Sequence, residues 1–206
     1  MGTKINRQII IDYYNKQLIE YGQDVKALSW GNVDSQRERF RVLCEIGYLS
    51  DKSILDVGCG FGDFYLYLKE QGISPKQYVG IDINLLMIGM AKIRLPEVRF
   101  EVADILTTKL REKYDYVFAS GIFALETPNW QSVTERILRK MYQLSNIGIG
   151  VNFLSSLTTG GQLPDRHYAN PEDIVAFIRK NLKTRTILRH DYRPNDFTLY
   201  IYKNEE

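Results

Sequence analysis

At 206 residues, with a net charge of +2 and acids and bases interspersed, the chain is long enough for one α/β domain with a substantial core, and it carries no global field that would favour a polyanion. A hydrophobic fraction of 44% with no apolar run near the roughly 20 residues of a membrane span excludes an integral membrane protein; the polar, tyrosine-rich N-terminus does not resemble a signal peptide, so a cytoplasmic location is expected. The two cysteines, Cys44 and Cys59, give no disulfide framework, and no Cys-x-x-Cys, His-Glu-x-x-His or clustered ligand set calls for a metal. In chain order, residues 5–21 place Ile9, Ile10, Tyr13, Tyr14, Leu18 and Tyr21 at helical spacing. Ser29-Trp30-Gly31 follows in a loop, and Ser35-Gln36-Arg37-Glu38 reads as a capping box that opens a second helix through Phe40, Leu43 and Ile46.

Residues 52–63, Lys-Ser-Ile-Leu-Asp-Val-Gly-Cys-Gly-Phe-Gly-Asp, are the most informative stretch. An apolar run, Ile54 to Val57, reads as a buried parallel strand containing an acid, and Gly58, Gly60 and Gly62 mark a tight turn that lets a ligand approach the backbone. The turn feeds a helix expected over 63–71, whose N-terminal amides attract the anionic end of a ligand. Nicotinamide and flavin folds carry G-x-G-x-x-G; the spacing here is G-x-G-x-G, preceded by Leu-Asp-Val. This string closely resembles the first motif of the Rossmann-like S-adenosylmethionine-dependent methyltransferases.

Tyr78 to Asn84 reads as a second strand ending in Asp82, about 20 residues past the last glycine, where such folds place an acid on two ribose hydroxyls. The bland alternative is an Asp that caps the helix over 85–93. Val98 to Leu106 alternates as a third strand and delivers Asp104; Tyr114 to Ala119 is a fourth, ending in Ser120-Gly121-Ile122-Phe123. The resemblance implies S-adenosylmethionine as cofactor, with Asp56, Gly58, Cys59, Gly60 and Gly62 around its methionine part. It implies Ile83, Ala103 and Ile105 about the adenine, Asp104 on the exocyclic amine, and Ser120 beside the transferable methyl. Asp104 could equally be a solvated loop acid. The N-terminal helices become a lid over the site, in which Trp30 either shields a sulfonium by cation–π contact or simply packs, and Arg39 is a weak candidate for the site.

Asn129 is placed to cap a helix with Trp130, Val133, Ile137, Leu138 and Met141 on its apolar face, leading to a fifth strand over 147–153. The polar stretch 155–170 then lies at the carboxyl end of that strand and is expected to shape the acceptor pocket. Asn170-Pro171-Glu172-Asp173 is a helix start, and two β-rich runs, 184–190 and 197–203, are joined by a turn at Arg193-Pro194-Asn195-Asp196. The expected fold is α/β: a doubly wound, mostly parallel seven-stranded sheet with a C-terminal antiparallel hairpin and an N-terminal helical lid. It forms one domain, with residues 1–50 as lid and 51–206 as core.

The implied reaction is in-line displacement at a methyl carbon on positive sulfur, which needs a base only if the acceptor is protonated at neutral pH. His190 and His167, the two histidines of the chain, and Tyr192 are the candidate bases, and the bland reading of each is structural. The fourth strand lacks the Asn/Asp-Pro-Pro-aromatic signature of DNA amino-methyltransferases. The basic run Arg179, Lys180, Lys183, Arg185, Arg189 and Arg193 reads first as solvated helix ends and strand edges. A small-molecule acceptor is therefore expected, nucleic acid and membrane are not, and nothing sets an oligomeric state. The alternatives are a non-catalytic S-adenosylmethionine-binding sensor or partner subunit, and an RNA methyltransferase.

Overall fold

The computed structural model describes residues 2–29 and 31–204, and of residues 2–6 only the backbone. Seven strands form one sheet: β1 (Ser53–Val57), β2 (Gln77–Asp82), β3 (Arg99–Val102), β4 (Tyr114–Ala119), β5 (Ser145–Leu154), β6 (Thr186–Arg193) and β7 (Asp196–Tyr202). Their order is β3-β2-β1-β4-β5-β7-β6, the first five parallel and β7 inserted antiparallel between β5 and β6. The doubly wound sheet and terminal hairpin are as expected. Successive strand side chains point to opposite faces. Leu55, Val57, Val117, Val151 and Leu199 enter one core; Ile54, Tyr116, Phe118 and Tyr200 enter the other.

Helices cover both faces because each core needs an apolar stripe against it. Helices α5 (Trp130–Leu144) and α6 (Pro171–Asn181) close the first core with Leu138, Met141, Phe177 and Ile178. Helices α2 (Val33–Cys44), α3 (Asp63–Glu70) and α4 (Leu85–Arg94) close the second with Leu43, Phe64, Leu68 and Ile88. Helix α1 (Gly2–Tyr21) and a 3₁₀ turn over Val25–Leu28 rest on a small third cluster, in which Leu18 and Ala27 meet Met87 and Phe61 of the glycine loop. The lid is thus seated on the loop it covers. Among the described residues no helix is long and apolar enough to cross a membrane.

Several local expectations are corrected. The capping box at Ser35 does not form: α2 starts two residues earlier, Asn32 accepts the Ser35 N–H at 2.8 Å, and Ser35 is buried in the first turn. Asn129 precedes α5 in a left-handed conformation (φ 59°) and its side chain caps nothing. Strand β3 stops at Val102, so Asp104 lies in the turn beyond it, where its carboxylate accepts the Leu106 N–H. Strand β5 begins at Ser145, directly after α5, so the Ser145-Asn146 linker is part of the sheet.

The hairpin is fastened to the lid side through Asp196, which has no exposed surface and accepts Arg39 Nη2 at 2.5 Å and Arg193 Nε at 3.0 Å. Removing one member of a buried pair strands the others in a poorly solvated environment. Asp196→Ala is expected to lower unfolding free energy by on the order of 3–5 kcal/mol, read from urea denaturation; a change below 1 kcal/mol would show that the cluster does not fasten these elements.

Candidate functional site

Strand order reverses between β1, which leads to β2 on one side, and β4 on the other, so a crevice opens at the carboxyl ends of these strands. The glycine loop enters it with three residues at positive φ: Gly58 at 75°, Gly60 at 54° and Gly62 at 81°. Those turns point the loop amides inward. Gly58 and Cys59 donate to the Ile81 carbonyl at 2.7 and 3.1 Å, Gly60 donates to Asp82 Oδ2 at 3.1 Å, and Gly62 donates to the Cys59 carbonyl. These four amides are therefore bonded within the protein, and the loop contributes shape. A Cβ on Gly58 would lie 2.1 Å from Ile122 Cγ2 and one on Gly60 2.9 Å from Leu28 Cδ2, so the glycines let β4's end and the lid close onto the loop.

Asp82 does not cap α4; Asn84 does, accepting the Leu86 and Met87 N–H groups. The two Asp82 oxygens accept the Asn84 and Gly60 amides, one each, which leaves further acceptor capacity on both. Burial raises its pKa, opposed by those amides. Ile83, Ala103, Asp104, Ile105 and Ser120 line the same crevice. Ser120 and Gly121 are held by buried Asn152, whose amide donates to Ser120 Oγ and whose carbonyl accepts the Gly121 N–H. Phe123 departs from this edge and stacks on Phe153 in the core.

Asp56 also borders the crevice, but its carboxyl is buried and accepts the Tyr78 phenol at 2.6 Å; burial pushes its pKa up to about 7 against the opposing pull of that bond. Cys59 is a free, buried thiol whose pKa burial raises well above the ordinary value, so it is no nucleophile. Its sulfur and the Phe100 ring share the space left by Gly80, where a Cβ would sit 2.9 Å from the sulfur and 2.6 Å from the ring. Cys44 is likewise unpaired.

A second chamber adjoins the first. Tyr14, Leu28, Gly121 and Leu125 line both, and the second is completed by Ser29, Gly31, Asn32 and Ser35, by Arg39, and by Leu163, Arg166 and Tyr168 of the 155–170 loop. This is where that loop was expected to act. Tyr14 at the junction is a neutral phenol, its pKa pushed upward chiefly by burial. The sequence reading placed Tyr14 only on a helix face, and treated Arg193 as part of a basic run; Arg166, Arg193 and Tyr14 show no local pattern that marks them as site residues.

None of the expected bases reaches either chamber. His190 lies on β6, the sheet edge, with its ring edge-on to Phe197 and its Nε2 buried without a partner among the described residues. Tyr192 bonds to Thr198 Oγ1, and His167 stacks on Trp130 at 3.6 Å while its Nδ1 meets Glu126 at 2.7 Å. The contacts of these three groups are therefore with the sheet edge and with Trp130, and none of them lines the crevice. Trp30 lies outside the described residues.

Residues 54–143 match a family model described as a methyltransferase domain. A Mycobacterium tuberculosis H37Rv protein provisionally named a methyltransferase is 31% identical over 157 residues, which span 73% of this chain and 93% of that one. The malonyl-[acyl-carrier protein] O-methyltransferase of Bacillus cereus is 25% identical over 98% of this chain and 70% of its own length. Among solved structures, the magnesium protoporphyrin IX methyltransferase of Synechocystis PCC 6803 with bound S-adenosylhomocysteine (SAH) superposes with a TM-score of 0.70 at 19% identity, over 97% of this chain and all of that one. The N-methyltransferase NodS of Bradyrhizobium japonicum gives 0.67 at 16%, with the same coverage. At those identities the likeness is one of fold.

Asp56 gives the site a pH signature. Unfolded, it ionises near 3.9; folded, near 7. Between those values the folded state keeps a proton that the unfolded state has lost, so its contribution to stability falls as pH rises from about 4 to about 7 and is level above that. Asp56→Asn, which can still accept from Tyr78, is expected to gain stability relative to the parent across that interval, read from urea midpoints at several pH values. An offset independent of pH would contradict the raised pKa.

Proposed function

This chain belongs to the Rossmann-like S-adenosylmethionine-dependent methyltransferases, and from that premise we propose that it transfers the methyl group of S-adenosylmethionine to a small-molecule acceptor seated in the second chamber. The observation that carries the reading is the meeting of the two chambers at Gly121 and Tyr14, past the end of β4. The residues of the first chamber fit the cofactor. Asp82 has unused lone pairs for a ribose diol, Ile83 and Ile105 offer apolar surface for a purine, and the glycine loop, onto which Ile122 and Leu28 close, borders the same chamber at Gly58 and Gly60. When bound, the cofactor supplies a methyl carbon activated by positive sulfur.

The protein's own part is positional. The lid seated on Phe61 and Met87 excludes water, and the Asn152 bonds fix Ser120 and Gly121 at the junction. No histidine lines either chamber among the described residues, and Tyr14 is held neutral; an acceptor atom that arrives with a free lone pair needs no base.

A non-catalytic binding protein would need no chamber between the 155–170 loop and the lid, and one is formed there. An RNA acceptor is less favoured because part of the basic run is already paired: Arg189 is held by Glu45 and Asp191, and Arg193 by Asp196. Calorimetric titration is expected to give micromolar binding of S-adenosylmethionine and SAH and none of NAD. Asp82→Ala should weaken that binding by about 1.5–3 kcal/mol, the usual worth of a charge-assisted hydrogen bond. Binding of NAD, or affinity unchanged by the substitution, would contradict the assignment.

A further inference from the structure

Tyr14 stands where the two chambers meet and lines both. It is carried by α1, and it packs at the edge of the small cluster in which Leu18 meets Met87 and Phe61. Its ring meets Tyr13 edge-on, with centroids 5.2 Å apart and planes at 89°. Tyr13 is itself fixed, because its phenol oxygen accepts Ser29 Oγ at 3.1 Å and Arg166 Nη2 at 2.8 Å. This aromatic frame sets the Tyr14 ring, yet the Tyr14 hydroxyl makes no hydrogen bond among the described residues. Polar groups enclosed in a protein are nearly always bonded, so an enclosed hydroxyl left to a chamber is placed for a ligand. Neighbouring polar groups are engaged: Ser120 Oγ accepts from Asn152, the Gly121 N–H donates to it, and Arg166 pairs with Asp165. Burial raises the Tyr14 pKa, with Arg166 of the second chamber opposing and Asp82 of the first adding to the shift, so the hydroxyl lies within electrostatic reach of both sites.

Resting on the methyltransferase reading above, we propose that Tyr14 is a catalytic residue of the transfer: from the lid side its phenol oxygen faces the methyl carbon on sulfur and accepts that group's polarised C–H bonds as it passes to the acceptor. A methyl on positive sulfur carries part of the charge on its hydrogens, and an oxygen lone pair already held beside its path stabilises that charge without reorganising. In the step, the acceptor's lone pair forms the new bond to carbon as the carbon–sulfur bond breaks, and the electron pair of the broken bond stays on sulfur. Tyr14 neither takes nor gives a proton. Its neutrality matters, because a phenolate at the junction would compete as a nucleophile for the same methyl. Tyr14→Phe keeps the ring and removes the oxygen, so the contact is separable from the packing of the lid.

The test titrates the full chain calorimetrically with S-adenosylmethionine, with SAH and with sinefungin, an analogue that carries a protonated amine on carbon in place of the methyl on sulfur. SAH has no group at that place and serves as the reference. Tyr14→Phe should leave SAH affinity close to that of the parent. It should weaken sinefungin by about tenfold or more, the scale of a hydrogen bond from a charged donor, and S-adenosylmethionine by about two- to fivefold, the scale of a C–H···O contact. Tyr13→Phe removes a phenol that lines neither chamber, and it should leave the ratios among the three ligands unchanged. Ratios unmoved by Tyr14→Phe, an equal loss for all three ligands, or the same shift in Tyr13→Phe would overturn the proposal. Failure of SAH to bind the parent would instead fault the methyltransferase reading, so the two failures are distinguishable.

Discussion

Three backbone N–H groups of the glycine loop, those of Gly58, Cys59 and Gly60, end on β2, two on the Ile81 carbonyl and one on the Asp82 carboxylate. The crevice depends on this stitch. It turns the loop tightly enough for Ile122 and Leu28 to close against glycine backbone, and it orients Asp82 at the border of the crevice. It also requires positive φ at Gly58 and Gly60, which a residue with a Cβ adopts only at a cost of order 1–3 kcal/mol. The same loop lends Phe61 to the cluster under α1, so the lid, the cofactor cradle and the second strand are one mechanical unit.

The parts of this architecture that local chemistry dictates were legible in the sequence. Period-two strands, a glycine turn and Asn170-Pro171 each carry their own signal, whereas the inserted antiparallel last strand was legible only through the resemblance to the methyltransferase sheet. What failed was decided by competition between neighbours. Asn32 and Ser35 are both good caps three residues apart, and Asn32 is the one used, with Ser35 buried in the first turn. Asp82 and Asn84 competed in the same way, and Asn84 became the cap, leaving Asp82 for the crevice. The second chamber was largely illegible, because its walls come from α1, α2, the 155–170 loop and the β6–β7 turn, segments brought together only by the fold.

The histidines illustrate the converse. Their chemistry suggested a base, but a side chain's reactivity matters only where the backbone delivers it, and β6 at the sheet edge delivers His190 to the flank of Phe197. Transfer from an already activated leaving group asks first for positioning and for exclusion of water, the part proposed here for the lid and the glycine loop.

The most direct test of this account is amide hydrogen exchange of the full chain with and without saturating SAH. Slower exchange is predicted over residues 57–62, 82–84 and 103–106, with the β6 and β7 strands unaltered. Binding that leaves those three segments unprotected, or that protects the hairpin edge around His190 instead, would contradict the placement of the site.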